Sequence, residues 1–126
     1  MKSVQKGLCL YHEGSSVWPL IDLYETGSEL VFEIDLPGIE PDDVSITVHG
    51  DMLIIEGIKR DDRSESDLHY LCMERGIRRF RRMIKFPVHV HVNVSAGEAS
   101  YERGVIKVRL PKREPEPVVI AIKRVE

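Results

Sequence analysis

The 126-residue sequence is poor in cysteine and has no surplus of positive charge. Its two cysteines, Cys9 and Cys72, are too few for a disulfide framework and lack the closely spaced partners of a zinc site, so we expect reduced thiols. The formal net charge of −3 argues against a nucleic-acid binder, because such proteins bind mainly by neutralising phosphates.

Long apolar runs are also missing. No stretch reaches the roughly 18 to 20 residues that a membrane helix needs, and residues 1–19 lack the apolar segment of a signal peptide. We therefore expect one small soluble domain in the cytoplasm, with no membrane partner.

The local signatures of cofactor chemistry are absent from the sequence. It contains no G-x-x-x-x-G-K-[ST] phosphate loop, no G-x-G-x-x-G motif and no H-E-x-x-H motif. This predicts a protein that is not an enzyme, with no catalytic residue, no metal and no cofactor.

The sequence consists largely of short segments in which apolar and polar residues alternate. This two-residue period runs through residues 30–36 and predicts a strand with one face in a core. A hairpin is predicted from residues 43–49 and 52–59, and a second one turns at Arg103 and Gly104. Because no helical period of useful length occurs, these strands predict an all-β fold, an immunoglobulin-like antiparallel β-sandwich.

Two segments do not fit a self-contained sandwich. Residues 61–67 carry four acids, one base and no apolar side chain, which predicts a solvated loop. The apolar run from Leu68 to Met73 that follows is too short to stand alone, so we expect a brief strand that pairs with the edge of another sheet, which can belong to another chain.

If residues 78–86 form a strand, in which every second side chain points to the same face, a charge lies among apolar side chains. Phe80, Ile84 and Phe86 share a face with Arg82. An unpaired charge there is costly, so we expect Arg82 to satisfy a carboxylate or carbonyl groups at a subunit contact.

The C-terminal segment changes in character after Leu110. Prolines at positions 111, 115 and 117 favour an extended spacer. It leads to the apolar residues 118–122, which we expect to dock on a protein surface.

Several separated motifs resemble those of the small heat-shock proteins of the α-crystallin-domain family, over residues 18 to 126. They are W-P-L-I-D-L-Y-E-T (18–26), D-L-P-G (35–38), L-x-I-x-G (53–57), E-R…F-x-R…F-P (74–87), A-x-x-x-x-G-V-I (99–106), L-P-K (110–112) and I-x-I (120–122). Arg78, Arg103 and Ile106 depart from the family's usual residues without upsetting the fold.

The resemblance implies three regions: an N-terminal arm (1–17), an α-crystallin domain (18–112) and a C-terminal tail (113–126). It implies an ATP-independent holdase of the stress response, which binds partly unfolded client proteins and assembles as a strand-exchanged dimer and higher homo-oligomers. An arm of about 17 residues is short for this family, which uses the arm to capture clients and to build assemblies.

The resemblance also assigns residues to three sites. The expected dimer interface comprises Leu68, Tyr70, Leu71 and Arg82, with Leu20, Ile21 and Leu23 of the opening strand. The expected groove for the tail or a client is lined by Val44, Ile46, Val48, Ala99 and Tyr101. The tail motif that enters the groove is Ile120 and Ile122.

One segment is left open. Val88, Val90, Val92 and Val94 alternate with polar residues and locally predict a strand, whereas the family has an irregular connection there.

Three other functions are alternatives to the holdase. His89 and His91, with His12, His69 and Cys72, could bind a metal, but no carboxylate stands at a helpful spacing and solvent-facing histidines are favoured. The basic run from Arg75 to Lys85 could attract RNA or an anionic membrane, yet the acidic loop 61–67 can neutralise it. The main alternative is a β-sandwich adaptor or co-chaperone module that binds folded partners.

Overall fold

Seven strands form two antiparallel sheets in the computed structural model, which describes residues 17–60, 68–114 and 117–126. The strands are β1 (Ile21–Glu25), β2 (Glu29–Asp35), β3 (Val44–His49), β4 (Met52–Lys59), β5 (Arg78–Lys85), β6 (Glu98–Glu102) and β7 (Val105–Pro111). Two single 3₁₀ turns, Pro41–Asp43 and Val94–Ala96, complete the regular structure. The predicted all-β sandwich is confirmed, whereas the predictions for Cys9, His12 and loop 61–67 lie outside the described residues.

The larger sheet has the strand order β1-β2-β7-β6, and the smaller sheet has the order β3-β4-β5. All neighbouring strands are antiparallel, and the pair β2–β7 joins residues 29–35 to residues 105–111. Arg82 on β5 donates to the carbonyl of Pro19, just before β1, so β1 and β5 border the same side of the sandwich. The other two edge strands, β3 and β6, therefore border the opposite side.

Both predicted hairpins are present. Strands β3 and β4 pair from Val44 opposite Gly57 to His49 opposite Met52, and Gly50 in their turn has a φ of 64°. In the turn between β6 and β7, Arg103 and Gly104 both have positive φ, 53° and 78°. Two such residues are typical of the type I′ turn, whose twist matches that of paired strands.

The core lies between the sheets, on the inward faces that the two-residue period predicts. Phe32, Ile34, Leu53, Ile55 and Ile84 are all 0% exposed. The alternating segment 30–36 supplies most of strand β2. Strand β2 lies in the interior of its sheet, because it pairs with β1 on one side and with β7 on the other. Burial of these side chains supplies the main driving force for folding.

The strand interpretation of the valine series is wrong. Val88 is 87% exposed and Val90 is 9% exposed, although residues two apart share a face in a strand. The backbone turns between them, since the Val90 amide donates to the Pro87 carbonyl at 3.1 Å. The segment continues with one bridge, Val92 to Lys112, and the 3₁₀ turn Val94–Ala96.

Residues 68–73 have no strand assignment within the chain. The brief strand predicted there would pair with the edge of another sheet. The structure of a single chain does not test that pairing, so it stays a prediction. No helix in the described part of the chain is long and apolar enough to cross a membrane.

Candidate functional site

Arg82 lies inside the sandwich, as strand parity predicts, and is 2% exposed. Its Nη1 donates to the backbone carbonyl of Pro19 at 2.9 Å. Its Nε and Nη2 are buried and have no hydrogen-bond partner among the described residues. The acceptor belongs to the same chain, so the expected role of Arg82 at a subunit contact remains a prediction.

The residues before β1 are held against β5 by ring contacts. Trp18 packs edge-on against Phe80, with ring centroids 5.3 Å apart at 88°, and the Arg78 guanidinium lies 4.2 Å from the Trp18 centroid. A cation above an indole face is attracted by the ring quadrupole. Arg78, a departure from the family pattern, thus holds the segment that leads into β1. Sequence reasoning missed this contact, because the arginine and the tryptophan are 60 residues apart.

Strand β1 is an edge of the larger sheet, and its second edge has no partner strand among the described residues. Of the residues predicted at the dimer interface here, Ile21 is buried, Leu23 is half-buried and Leu20 is 58% exposed. Backbone groups along such an edge can pair with a strand of another chain.

The segment predicted to pair with that edge carries exposed apolar side chains. Leu71 is 94% exposed, and Leu68, Tyr70, Met73 and Ile77 are also exposed. Within one chain, the strand pairing does not bring this segment to β1. Cys72, in the same segment, is an exposed free thiol.

Edge strands of the two sheets, β3 and β6, line the predicted groove. Val44, Ile46 and Val48 point inward from β3, are half-buried and pack against the core; Tyr101 on β6 does the same. The Tyr101 hydroxyl donates to the Leu36 carbonyl at 2.9 Å. These four residues form an apolar border along one side of the sandwich, whereas the predicted Ala99 is exposed.

The C-terminal tail does not lie in this groove. Ile120 and Ile122 are 84% and 97% exposed, and Val118, Val119 and Val125 are exposed as well. The single chain therefore leaves the predicted tail motif and the predicted groove apart.

His89 contacts a carboxylate in the structure, and no group of three or more histidine, cysteine or acidic residues among the described residues could hold a metal ion. His89 Nε2 and Lys112 Nζ both lie 3.4 Å from Glu25 Oε2. The contact with the His89 imidazole, followed by that with Lys112, lowers the pKa of the Glu25 carboxyl below its ordinary value of 4.5. This cluster, which sequence spacing did not indicate, connects the end of β1 to the irregular segment and to the residue that follows β7.

A β-sandwich with the sheet orders β1-β2-β7-β6 and β3-β4-β5 matches the architecture of solved small heat shock proteins. Heat shock protein 16.0 from Schizosaccharomyces pombe superposes with a TM-score of 0.70 at 27% identity, over 89% of this chain and 88% of that one. A small heat-shock protein from Xylella fastidiosa, described as having a distinct high order structure, gives a TM-score of 0.66 at 28% identity, over 86% of this chain and 100% of that one.

The amino-acid sequence places the chain in the same family. Residues 22–125 match the Hsp20/alpha crystallin family, and the chain belongs to that family. Small heat shock protein C2 of Rickettsia felis is 33% identical over 96 residues, which are 76% of this chain and 61% of that protein. The chain thus spans less than two thirds of the length of this relative.

Proposed function

We propose that this protein is an ATP-independent holdase that binds partly unfolded proteins and keeps them from aggregating. The observation that carries the proposal is the exposure of apolar side chains in two described segments that lie outside the strands, with Leu71 at 94% and Ile122 at 97%. Exposed apolar patches and open edges are the features that bind apolar, extended segments of another chain. Membership of the Hsp20/alpha crystallin family supports the same function.

Light scattering of a heated model client tests this function. The full chain, without added nucleotide, is expected to suppress the scattering in proportion to its concentration, and added ATP should change nothing. If scattering is not suppressed at any ratio of chain to client, the holdase function is wrong. Binding of a folded partner together with that result would identify the alternative, an adaptor or co-chaperone module.

We further propose that two chains form a dimer by strand exchange. Residues 68–73 of one chain would pair with the outer edge of β1, near Leu20 to Leu23, in the other. The exposed side chains of Leu68 and Leu71 and the position of β1 as the terminal strand of its sheet support this arrangement. Pairing would cover apolar side chains and supply partners for the backbone groups of β1.

A deletion tests the strand exchange. Removing residues 62–72 and joining the ends should give folded monomers, as judged by sedimentation and by the circular dichroism of the sheets. A deletion variant that sediments like the parent would show that the dimer uses another surface.

The tail is proposed to dock between β3 and β6 of a neighbouring chain. Ile120 and Ile122 are two apart, so on an extended tail both point the same way and can enter adjacent pockets beside Val44, Ile46 and Val48. The spacer 111–117 can span about 20 Å at roughly 3 Å per residue. Burying two isoleucines yields about 3 to 6 kcal/mol before ordering costs, which is enough for a reversible contact.

The remaining proposals concern setting and chemistry. We propose a cytoplasmic protein that catalyses no reaction and needs no cofactor, nucleic acid or membrane for its action. Unchanged suppression of aggregation after addition of a chelator, and after nuclease treatment, checks that the action needs neither a metal cofactor nor nucleic acid.

A further inference from the structure

The outward face of the smaller sheet carries a stripe of apolar side chains. Met52, Ile54 and Ile58 point outward from β4, because the alternate residues Leu53 and Ile55 are buried. Met83 on β5 stands directly opposite Ile54. All four apolar residues are half-buried, so each keeps part of its surface in contact with solvent.

Cations surround this stripe. Arg79, Arg81 and Lys85 point outward from β5, and among the described residues of β3, β4 and β5 the one carboxylate that points to the same side is Glu56. Arg81 Nε lies 3.4 Å from Glu56, and Arg81 Nη1 lies 3.1 Å from the Met83 sulfur, so the arginine stem extends over the stripe. Lys85 is 3.9 Å from Asp51, which belongs to the β3–β4 turn.

The outward face of the larger sheet is of the opposite kind. Its acids outnumber its bases, and two ion pairs, Lys107–Glu33 at 3.5 Å and Arg109–Glu29 at 4.0 Å, cross the strands β2 and β7. The acidic residues on this face are Asp22, Glu29, Glu33, Asp35, Glu98 and Glu102. Of the larger side chains on this face, Val31 is 2% exposed, and Tyr24, which is 38% exposed, donates its hydroxyl to Glu33 Oε1 at 2.9 Å.

We propose that the outward face of the smaller sheet binds apolar segments of unfolded proteins that carry acidic residues, and that it does not bind basic ones. The inference rests on the proposed holdase function and names the surface and the chemistry of the client. The stripe supplies apolar contact, and its two thioethers adapt to side chains of different shape. The surplus of cations attracts carboxylates and disfavours lysine or arginine next to the apolar residues.

Peptide binding tests the proposal with the full chain. The probe is a fluorescein-labelled 15-residue peptide in which leucines are flanked by glutamate, and the matched peptide has lysine in place of every glutamate. Fluorescence anisotropy at physiological ionic strength, where charges beyond about 8 Å are screened, should give at least tenfold tighter binding of the glutamate peptide. Equal affinity for the two peptides would overturn the charge preference.

Two double variants test the location. Ile54→Ser with Met83→Ser should weaken binding of the glutamate peptide at least fivefold, and Arg79→Glu with Lys85→Glu should reverse the preference between the peptides. The matched control, Lys123→Glu with Arg124→Glu at exposed tail positions, changes the net charge by the same −4 away from this face and should leave the affinity nearly unchanged. Circular dichroism verifies that each variant is folded, and Ile54→Thr with Met83→Thr, which suits a strand, replaces the serine pair if that pair does not fold.

The outcomes separate this surface from the holdase function. Suppression of client aggregation by the parent, with peptide affinities that none of the face variants changes, overturns the surface alone. Peptide binding that follows the predicted pattern in a chain that suppresses nothing overturns the holdase alone. A 15-residue oligouridylate that binds the parent more tightly than the glutamate peptide, and loses affinity in Arg79→Glu with Lys85→Glu, would assign the face to nucleic acid and overturn the proposal.

Discussion

Isoleucine occurs in two opposite environments in this molecule. Ile34, on the central strand β2, is 0% exposed, whereas Ile122, in the tail, is 97% exposed. The two positions differ in their partners: β2 is paired on both sides, and the tail follows a proline-rich spacer and pairs with no strand of its own sandwich. The comparison teaches that available strand partners, more than residue type, decide which apolar side chains this chain buries.

The difference has an energetic meaning. Burial of one isoleucine side chain stabilises the folded state by about 1.5 to 3 kcal/mol. The buried isoleucines of the sandwich contribute this free energy, whereas the exposed apolar residues of the tail and of residues 68–77 do not. A second chain or a bound client can supply the contact that the described residues lack. The predictions below test that division between buried and exposed apolar residues.

The largest effect is expected in the core. Phe32 is 0% exposed and its ring centroid lies 5.8 Å from that of Phe86, so Phe32→Ala should lower the free energy of unfolding by about 3 to 5 kcal/mol. The matched change in the exposed segment, Leu71→Ala, should stay within about 0.5 kcal/mol under conditions where the chain is monomeric. Urea denaturation measures both values, and a comparable loss for Leu71→Ala would mean that the segment is packed.

Arg82→Gly is expected to have the second largest effect. It leaves the Pro19 carbonyl without its donor, which costs about 1 to 3 kcal/mol at a buried site, and it removes the packed stem of the side chain. Lysine should rescue little, because its shorter side chain lacks the planar fork that reaches the Nη1 position.

The control for Arg82 lies on the same strand. Arg79→Gly, at an exposed position, carries the same loss of strand propensity without the buried contact. Thermal unfolding of the two variants and of the parent isolates the effect of the buried guanidinium. Equal melting temperatures for Arg79→Gly and Arg82→Gly would contradict the structural role of Arg82.

A smaller effect on folding, but a visible one on assembly, is expected in the tail. Ile120→Ala with Ile122→Ala should change the stability of the sandwich by less than about 0.5 kcal/mol, because both side chains are exposed in the single chain. The same double variant should reduce the mass of any assembly larger than a dimer in analytical ultracentrifugation. Val125→Ala, an exposed tail residue outside the motif, should leave the mass unchanged; a loss of mass there would show that the whole tail, and not the motif, is recognised.

The smallest effect concerns the surface cluster at Glu25. The pKa of Glu25 is lowered in the folded protein, first by the His89 contact and then by Lys112, so its ionised form stabilises the fold above the ordinary pKa of 4.5. This stabilisation is lost as the pH falls through the lowered pKa. Glu25→Gln should therefore be slightly less stable than the parent at neutral pH, and the gap should close in strong acid.

The urea midpoints of the parent and of Glu25→Gln, measured at several pH values between about 3 and 7, show whether the difference in stability shrinks as the pH falls. Glu40→Gln, on the exposed loop before Pro41, serves as the control. A gap between parent and Glu25→Gln that widens as the pH falls would contradict the assigned direction.

Much of the sandwich could be predicted from the sequence because its strands have a strict two-residue period and glycine-containing turns. The glycine-containing turns predict the hairpins at Gly50 and Gly104, and the two-residue period predicts the burial of Arg82. The same rule failed between Val88 and Val94, where local alternation favours a strand but Pro87 and the 3₁₀ turn bend the backbone.

Contacts between distant residues could not be predicted in this way. The stacking of Arg78 on Trp18 and the cluster of Glu25, His89 and Lys112 depend on which strands become neighbours, and periodicity carries no information about strand order. The same holds for the opposite charges of the two outward faces, which emerge only when the strands are assigned to their sheets.

The pairing of β2 with β7 has a consequence for the synthesis of the chain. The smaller sheet is made by three strands that follow one another in sequence, so it can form soon after residue 85 leaves the ribosome. The larger sheet cannot close until residues 105–111 are available, because β7 lies between β2 and β6. Pairings between distant parts of a chain form slowly. During that interval β2 lacks one of its strand partners, and its apolar side chains stay exposed. The nascent chain is then itself a partly unfolded protein of the kind that the finished chain is proposed to bind.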